Sequence, residues 1–311
     1  MELLPFQVTA TDNDEGSNAN LIYHIVDGNH DNAFIIEPPF SGIVKTNIVL
    51  DREIQDRYRL TIIATDDGSP QMTGTCLLQI NVIDINDNQP VAPHAVVNIS
   101  ESLAVGSFVT TIVANDVDTN PSLVYSFAEQ SKNEARFSIE KYSGRVTLRK
   151  PLDYETEKIH KVHIQVSDTV HTAFTSLTVH VMDANDNAPE FTSNLYHVTV
   201  PDDTKAGSEV IQVEAADKDS GQNAIIRYSL RSSKDSRGGG MRGTRGFWID
   251  ENTGKVYLNG SVQYQHENPF VHLTAVATDG GKPRNSVKAT LWIEIRPSES
   301  DLLRFSPSKY K

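Results

Sequence analysis

Five short marks recur along this chain in one order, about one hundred residues apart, so the chain must be built from repeated units. The string Asp84-Ile85-Asn86-Asp87-Asn88-Gln89-Pro90 returns 99 residues later as Asp183-Ala184-Asn185-Asp186-Asn187-Ala188-Pro189. Leu50-Asp51-Arg52-Glu53 returns after 102 residues as Leu152-Asp153-Tyr154-Glu155. Asp-x-Asp pairs stand at Asp12 and Asp14, Asp116 and Asp118, and Asp217 and Asp219. Phe34-x-Ile36, Phe137-x-Ile139 and Phe247-x-Ile249 each run into a Ser/Thr-Gly pair that ends at Gly42, Gly144 and Gly254. Three copies follow, at residues 1–88, 89–187 and 188–297. Residues 298–311 form a linker and the start of a fourth copy, in which Phe305 and Tyr310 match Phe191 and Tyr196 in spacing. The first copy has only eleven residues before Asp12, so its first strand is missing.

Within each copy the apolar period is two, as in Val162-His163-Ile164-Gln165-Val166 and Leu177-Thr178-Val179-His180-Val181. Such alternation describes strands with one face on a core. No segment keeps a helical period over three turns. The expected fold is all-β: seven-stranded Greek-key sandwiches of the immunoglobulin-like kind, joined end to end.

Charge narrows the function. Lys and Arg number 28 against 41 Asp and Glu, a net charge of −13. A surface of that sign repels phosphate backbones, so nucleic acid is not an expected partner. No run of 18 apolar residues exists to span a membrane, and the opening residues lack the pattern of a signal peptide. One cysteine, Cys76, allows no disulfide framework and no zinc cluster. Its parity with Leu78, Ile80 and Val82 predicts an inward-facing thiol. The carboxylate surplus points to hard cations such as calcium, which take oxygen ligands.

Strand direction gathers those carboxylates where copies join. At the second junction Glu101, Asp153, Glu155, Asp183 and Asp186 come from the upper copy and its linker. Asp217, Asp219 and Asp279 come from the lower copy, and Asn185 and Asn187 add amide oxygens. At ~5 Å and an effective dielectric near 20, each like-charged pair costs about 3 kcal/mol. Divalent cations held by six to eight oxygens reverse that sign. The junction is expected to be loose without metal and stiff with it. Catalysis is not expected, because the acids sit in repeated sets at junctions and no nucleophile elbow or zincin histidine pair accompanies them.

The Asp-x-Asn-Asp-Asn linkers, Leu-Asp-Arg-Glu and Leu-Asp-Tyr-Glu turns, Asp-x-Asp pairs and Ala-Thr-Asp strings at Asp66 and Asp279 resemble the cadherin superfamily across nearly the whole chain. The resemblance is to a long, multi-repeat cadherin of the invertebrate neural, Fat or Dachsous type. It implies extracellular repeats at the cell surface, about three Ca2+ ions per intact junction, and calcium-dependent cell–cell adhesion. Implied partners are other cadherin ectodomains, homophilic or heterophilic, with catenin-type proteins on the cytoplasmic side of a full-length molecule. Contact with the membrane would then run only through a transmembrane segment that this stretch lacks. Alternatives are a passive spacer and a ligand-binding segment of a signalling receptor. Carried over position by position, the first junction's ligands are Asp51, Glu53, Asp84, Ile85, Asn86, Asp87, Asn88, Asp116, Asp118 and Asp168. The second adds Ala184 and Asn223 to the residues above. Asp12, Asp14, Asn18 and Asp66 would serve an upstream junction, and Asn98 and Asn259 head glycosylation sequons.

Departures from the pattern fall in the third copy. Val262-Gln263-Tyr264-Gln265 replaces the Leu-Asp-x-Glu turn, and Pro297, Ser298, Glu299, Ser300 and Asp301 replace the linker string at unchanged length. A calcium-free junction after this copy is expected. Residues 231–246 form a Gly/Arg loop insertion, in which Gly238-x-Gly240-x-x-Gly243 lacks the strand–helix context of a dinucleotide site. His94-Ala95-Val96 lies at the start of an inner copy's first strand and carries no expected role. Trp292, between Leu291 and Ile293, is expected in the core or on a strand surface.

Overall fold

The computed structural model describes residues 6–119, 121–129, 131, 134–232, 243–244 and 246–298. Among them every extended element is a strand, and the helical turns are three short 3-10 segments at Gly16–Ala19, His30–Asn32 and Glu134–Arg136. Three separate apolar cores follow the three copies. The second is complete. One sheet has the order Ala95–Ser100, Thr172–Met182, Ile159–Ser167, Val124–Phe127, and it faces a sheet ordered Phe137–Ile139, Arg145–Leu148, Phe108–Thr111. Burial alternates along Ile159–Ser167, which puts Val162, Ile164 and Val166 inside, as the period-two pattern requires. Each such side chain contributes about 1.5–3 kcal/mol of burial.

The first strand of this copy runs parallel to the last, Ala95 beside Leu177 through Ser100 beside Met182. The third copy repeats this with Leu195–Pro201 against Ser286–Arg296. The first copy does not. Its sheet has three strands, Ile22–Asp27, Arg57–Thr65 and Thr73–Asn81, and no described strand lies along the outer edge of Thr73–Asn81. That edge corrects the reading of Cys76. The thiol does share the inner side with Tyr23, Ile62 and Ala64, but together with Val8 they line an open cleft of about 150 Å³, and Cys76 is exposed. Parity gave the face; exposure follows from an edge along which no described strand lies.

One local device recurs in all three copies. Gly42, Gly144 and Gly254 adopt φ of +63°, +67° and +71°. A Cβ there would lie 2.1–2.2 Å from the carbonyl oxygens of Val8, Ile112 and Val213 respectively, and 3.2–3.4 Å from the rings of Tyr23, Tyr125 and Tyr228. Those tyrosine hydroxyls accept the backbone N–H of Ala10, Ala114 and Ala215 at 2.8, 3.1 and 2.9 Å. Each alanine stands two residues before an Asp-x-Asp turn. The Ser/Thr-Gly mark of the sequence is thus the clearance that lets a tyrosine pin the strand leading to the acidic turn.

His160 sits where the first copy has Tyr58 and the third has Val271. It is fully buried, edge-on to Phe137, and neither ring nitrogen has a hydrogen-bond partner. Glu157 approaches Nδ1 at 3.3 Å. Burial is the larger effect and holds the imidazole pKa below its ordinary value, against the pull of Glu157 and alongside the push of Arg136. The unfolded histidine takes its proton near pH 6.5, so stability present above that pH is lost as pH falls through it. Each unit of depression is worth about 1.4 kcal/mol, roughly 5 °C or more in a sandwich of this size. Thermal melts in calcium at pH 7 and pH 5 should show a larger fall for the native protein than for His160→Phe. Equal falls would show that His160 does not titrate on unfolding.

Candidate metal centres at the junctions

The acidic turns and linkers meet as the strand directions require. At the second junction Glu101 is buried and fixed by the backbone N–H groups of Tyr154 at 2.6 Å and Ala184 at 2.7 Å. Asp183 crosses to the third copy, accepting from Ser220 N at 3.1 Å and Asn223 Nδ2 at 2.7 Å. Asn187 donates to Asp219 through both its backbone N–H and its amide, at 3.2 and 2.8 Å. Asp279 accepts from Gly281 N, Asn285 N and Asn185 Nδ2 at 3.2, 2.9 and 3.0 Å. Gly281 packs so close beneath Asn185 that a Cβ would fall 2.0 Å from its Cγ.

Two triads bring carboxylate oxygens within 4.8 Å of one another: Glu101, Glu155 and Asp186, and Glu155, Asp183 and Asp219. The acids resist this crowding. The Glu155 carboxyl is pushed up to about 6 by desolvation and by Glu101, Asp186 and Asp183, although part of its side chain reaches solvent. Desolvation and neighbouring acids also raise Asp186 and Asp217. Asp153 differs: its carboxylate is taken by the hydroxyl and N–H of Thr156, which lower its pKa, and it stands outside both triads.

The first junction repeats the plan. Asn88 donates to Asp118 through its N–H and amide at 3.2 and 2.8 Å. Glu53, Asp84 and Asp118 form one triad, and Asp116, Asp118 and Asp168 another. Asp84 reaches across to Thr119 N at 3.0 Å, and Asp51 accepts Ile54 N at 3.1 Å. The side chain of Asp87 accepts from the Asn88 amide, and Ile85 is exposed. Asp168 is buried; burial alone would raise its pKa, but N–H bonds from His171 and Val170 outweigh it and leave the pKa lowered. Two side chains differ in kind from those in the same places at the second junction. Arg52, in the place of Tyr154, binds Asp84 and Glu53 and donates to Val117 O. His171 Nδ1 lies 3.1 Å from the Asn86 amide and 3.3 Å from Asp168 Oδ2, and the network is satisfied with the amide nitrogen of Asn86 donating to His171 Nδ1 and, at 3.0 Å, to Asp168 Oδ2.

The donor set fits a hard cation. Among the described residues, the buried side-chain oxygens without a partner are Asp116 Oδ2, Ser131 Oγ, Asn185 Oδ1, Asp217 Oδ2 and Asp219 Oδ2. Four of these five lie at the two junctions. A buried acceptor left unpaired costs about 1–3 kcal/mol, more when charged, and a calcium ion bound by several such oxygens removes that cost.

The remaining candidates fall on partial sites. Asp12 accepts Asp14 N at 2.8 Å, and Asp66 accepts Gly68 N and Met72 N, as Asp168 and Asp279 do with their own loops. Asp14 and Asn18 are exposed, whereas Asp118 and Asp219 are buried beneath a linker. At the far end Asp202, in the place of Glu101, accepts Ser298 N at 2.8 Å. Residues 299–311, with the expected fourth copy, lie outside the described residues, as does most of the 231–246 insertion. Asn98 and Asn259 are exposed. Sequence reasoning missed Asn285, whose amide donates to the carbonyl oxygens of Asn185 at 3.4 Å and Asn187 at 3.1 Å. It also missed the tyrosines behind the Asp-x-Asp turns, whose signal was their fixed distance from those turns.

Such geometry defines a class: tandem β-sandwiches that share oxygen-lined acidic junctions. The Cadherin domain model matches residues 2–83, 95–182 and 196–296. The chain belongs to the cadherin family, whose members are adhesion proteins and not enzymes. It is 40% identical to Protein dachsous of Drosophila melanogaster over 98% of its length, and 34% identical to human Protocadherin-16 over 98%. It spans 9% of each of those proteins. Mouse Cadherin-23 EC22-24 superposes with a TM-score of 0.68 at 26% identity, covering 94% of this chain and 91% of that one. Protocadherin gammaB7 EC3-6 superposes with a TM-score of 0.78 at 27% identity, covering 91% and 69%. Among the described residues no helix is long and apolar enough to cross a membrane.

Proposed function

We propose that this chain is an extracellular rod segment of a cell-surface cadherin, clamped by calcium at its first and second junctions and used in calcium-dependent adhesion. The observation that carries the reading is the set of unpaired buried oxygens on Asp116, Asn185, Asp217 and Asp219. The first junction's ligands are Asp51, Glu53, Asp84, Asn86, Asp87, Asn88, Asp116, Asp118 and Asp168, with the Ile85 carbonyl. The second uses Glu101, Asp153, Glu155, Asp183, Asn185, Asp186, Asn187, Asp217, Asp219, Asn223 and Asp279, with the Ala184 carbonyl. About three ions per junction suit sets of this size.

The junction after the third copy holds none, because Gln263 and Gln265 stand where the second copy has Asp153 and Glu155. Partners are other cadherin ectodomains, and Asn98 and Asn259 are open to glycosylation. Crystals grown in millimolar calcium with a complete fourth repeat would test the assignment: ions at junctions one and two and none at three are expected. An ion-free second junction would overturn the clamp. Bead aggregation in calcium separates adhesion from a spacer role, since beads bearing a spacer stay dispersed.

A further inference from the structure

We propose that the outward sheet face of the third copy binds a sulfated polysaccharide. Charge is spread unevenly along the chain. Residues 1–88 carry 4 Lys and Arg against 14 Asp and Glu, residues 89–187 carry 8 against 12, and residues 188–297 carry 13 against 13. Three of the third copy's acids, Asp217, Asp219 and Asp279, are turned into the junction, which leaves nine Lys and Arg against nine Asp and Glu among its described residues, so what matters is where the cations stand.

Strand register places that charge. On the outward side of the four-stranded sheet, Arg227 and Arg231 lie on one edge strand, with Thr278 and Thr274 as their neighbours. Lys288 lies two strands over, beyond Val276, which also pairs with Ser229 and is itself covered at 2% exposure, so the cations rim the centre of the face. The three cations are exposed, and none has an ion-pair partner among the described residues. Four residues of strand separate the arginines by about 13 Å, and two inter-strand steps put Lys288 about 10 Å from that edge. A single small anion cannot bridge such a triangle. An extended polymer with repeated charges can.

Beside the cations Trp292 is 40% exposed, and its register partners are His272 on one side and His197 on the other. His272 meets it edge-on at 5.2 Å, holding the indole in place. An indole fixed on a flat sheet offers an apolar platform for the C–H face of a sugar ring, and the Ser and Thr hydroxyls between the cations can bond to sulfate. The Glu294 carboxylate nearby is already occupied by Arg296 at 3.0 Å. The second copy lacks the feature: its equivalent face exposes Val96, Phe174 and Met182, with Lys161 as the lone cation on its central strands. At physiological salt the screening length is about 8 Å, so the acid-rich first copy does not cancel the patch.

The choice of a glycan rests on the extracellular placement proposed above, but the binding measurement does not. The full 311-residue protein, loaded in calcium on immobilised heparin, should be retained at about 0.15 M NaCl. Arg227→Ser/Arg231→Ser/Lys288→Ser should weaken binding at least tenfold with an unchanged melting temperature and unchanged calcium binding. Trp292→Ser should weaken it several-fold without changing the salt dependence. Flow-through at 0.05 M NaCl, or equal retention of the triple variant, would overturn the proposal. So would competition by duplex DNA equal to that by heparin, which would mark a charge-only surface. Concentration-dependent dimerisation abolished by the triple substitution would assign the face to a second copy of the chain. None of these results bears on the calcium junctions.

Discussion

Chelating calcium should lower the melting temperature of this protein by about 10 °C or more and lower the rigidity of the rod seen in small-angle scattering. Extracellular calcium sites have dissociation constants of about 10⁻⁴ to 10⁻³ M. At 1 mM calcium, mass action over about three such sites gives roughly 1–4 kcal/mol per junction. The loss is felt at the junction first, because there the ions offset both repulsion and unpaired oxygens. Asp217 separates these effects. Its Oδ2 is buried without a partner, and desolvation with Asp219, Asp279 and Asp183 raises its pKa. A raised carboxyl pKa means that the calcium-free fold prefers the neutral form and loses stability as pH rises through that pKa. Asp217→Asn should therefore leave the melting temperature in EDTA equal to or above that of the native protein. The same substitution should cut calcium affinity at the second junction at least tenfold by calorimetry. A variant that melts lower in EDTA yet binds calcium normally would mean that Asp217 is structural and not a ligand.

Gly144→Ala should destabilise the second copy by about 3–5 kcal/mol and weaken calcium binding at the first junction with it. Two costs combine. The φ of +67° is unfavourable for any residue with a Cβ, by about 1–3 kcal/mol. The new Cβ would also lie 2.2 Å from Ile112 O, a backbone atom, so the strands must part and strain the 2.9 Å bond from Ile112 N to Gly144 O. Separation would pull Tyr125 from Ala114 N, two residues before Asp116, which is how a core substitution reaches the metal site. Gly106→Ala is the control. Gly106 has φ of +91° but nothing within 4 Å of its would-be Cβ, so only the backbone cost, about 1–3 kcal/mol, applies. Similar melting temperatures for the two variants would show that the strands accommodate the methyl group.

Much of the candidate site was legible because its ligands are local strings. Asp-x-Asn-Asp-Asn, Leu-Asp-x-Glu and Asp-x-Asp each place acids on one turn, and a repeat of known period says which turns face each other. Residues that act through another part of the fold were not legible. Asn285 has no motif and enters the second junction through its loop, while His171 holds the corresponding place at the first. Asp153 and Glu155 share one turn, yet only the second stands in the triads, while the first accepts hydrogen bonds from Thr156.

The sequence by itself determined the repeat, the all-β alternation and the gathering of acids at junctions, since these follow from spacing and from a side-chain period of two. Only the tertiary structure decided which oxygens stay unpaired, whether Cys76 is covered, and that three scattered cations and Trp292 share one face. Each of those depends on the neighbouring strand, which lies in space next to residues far away along the chain.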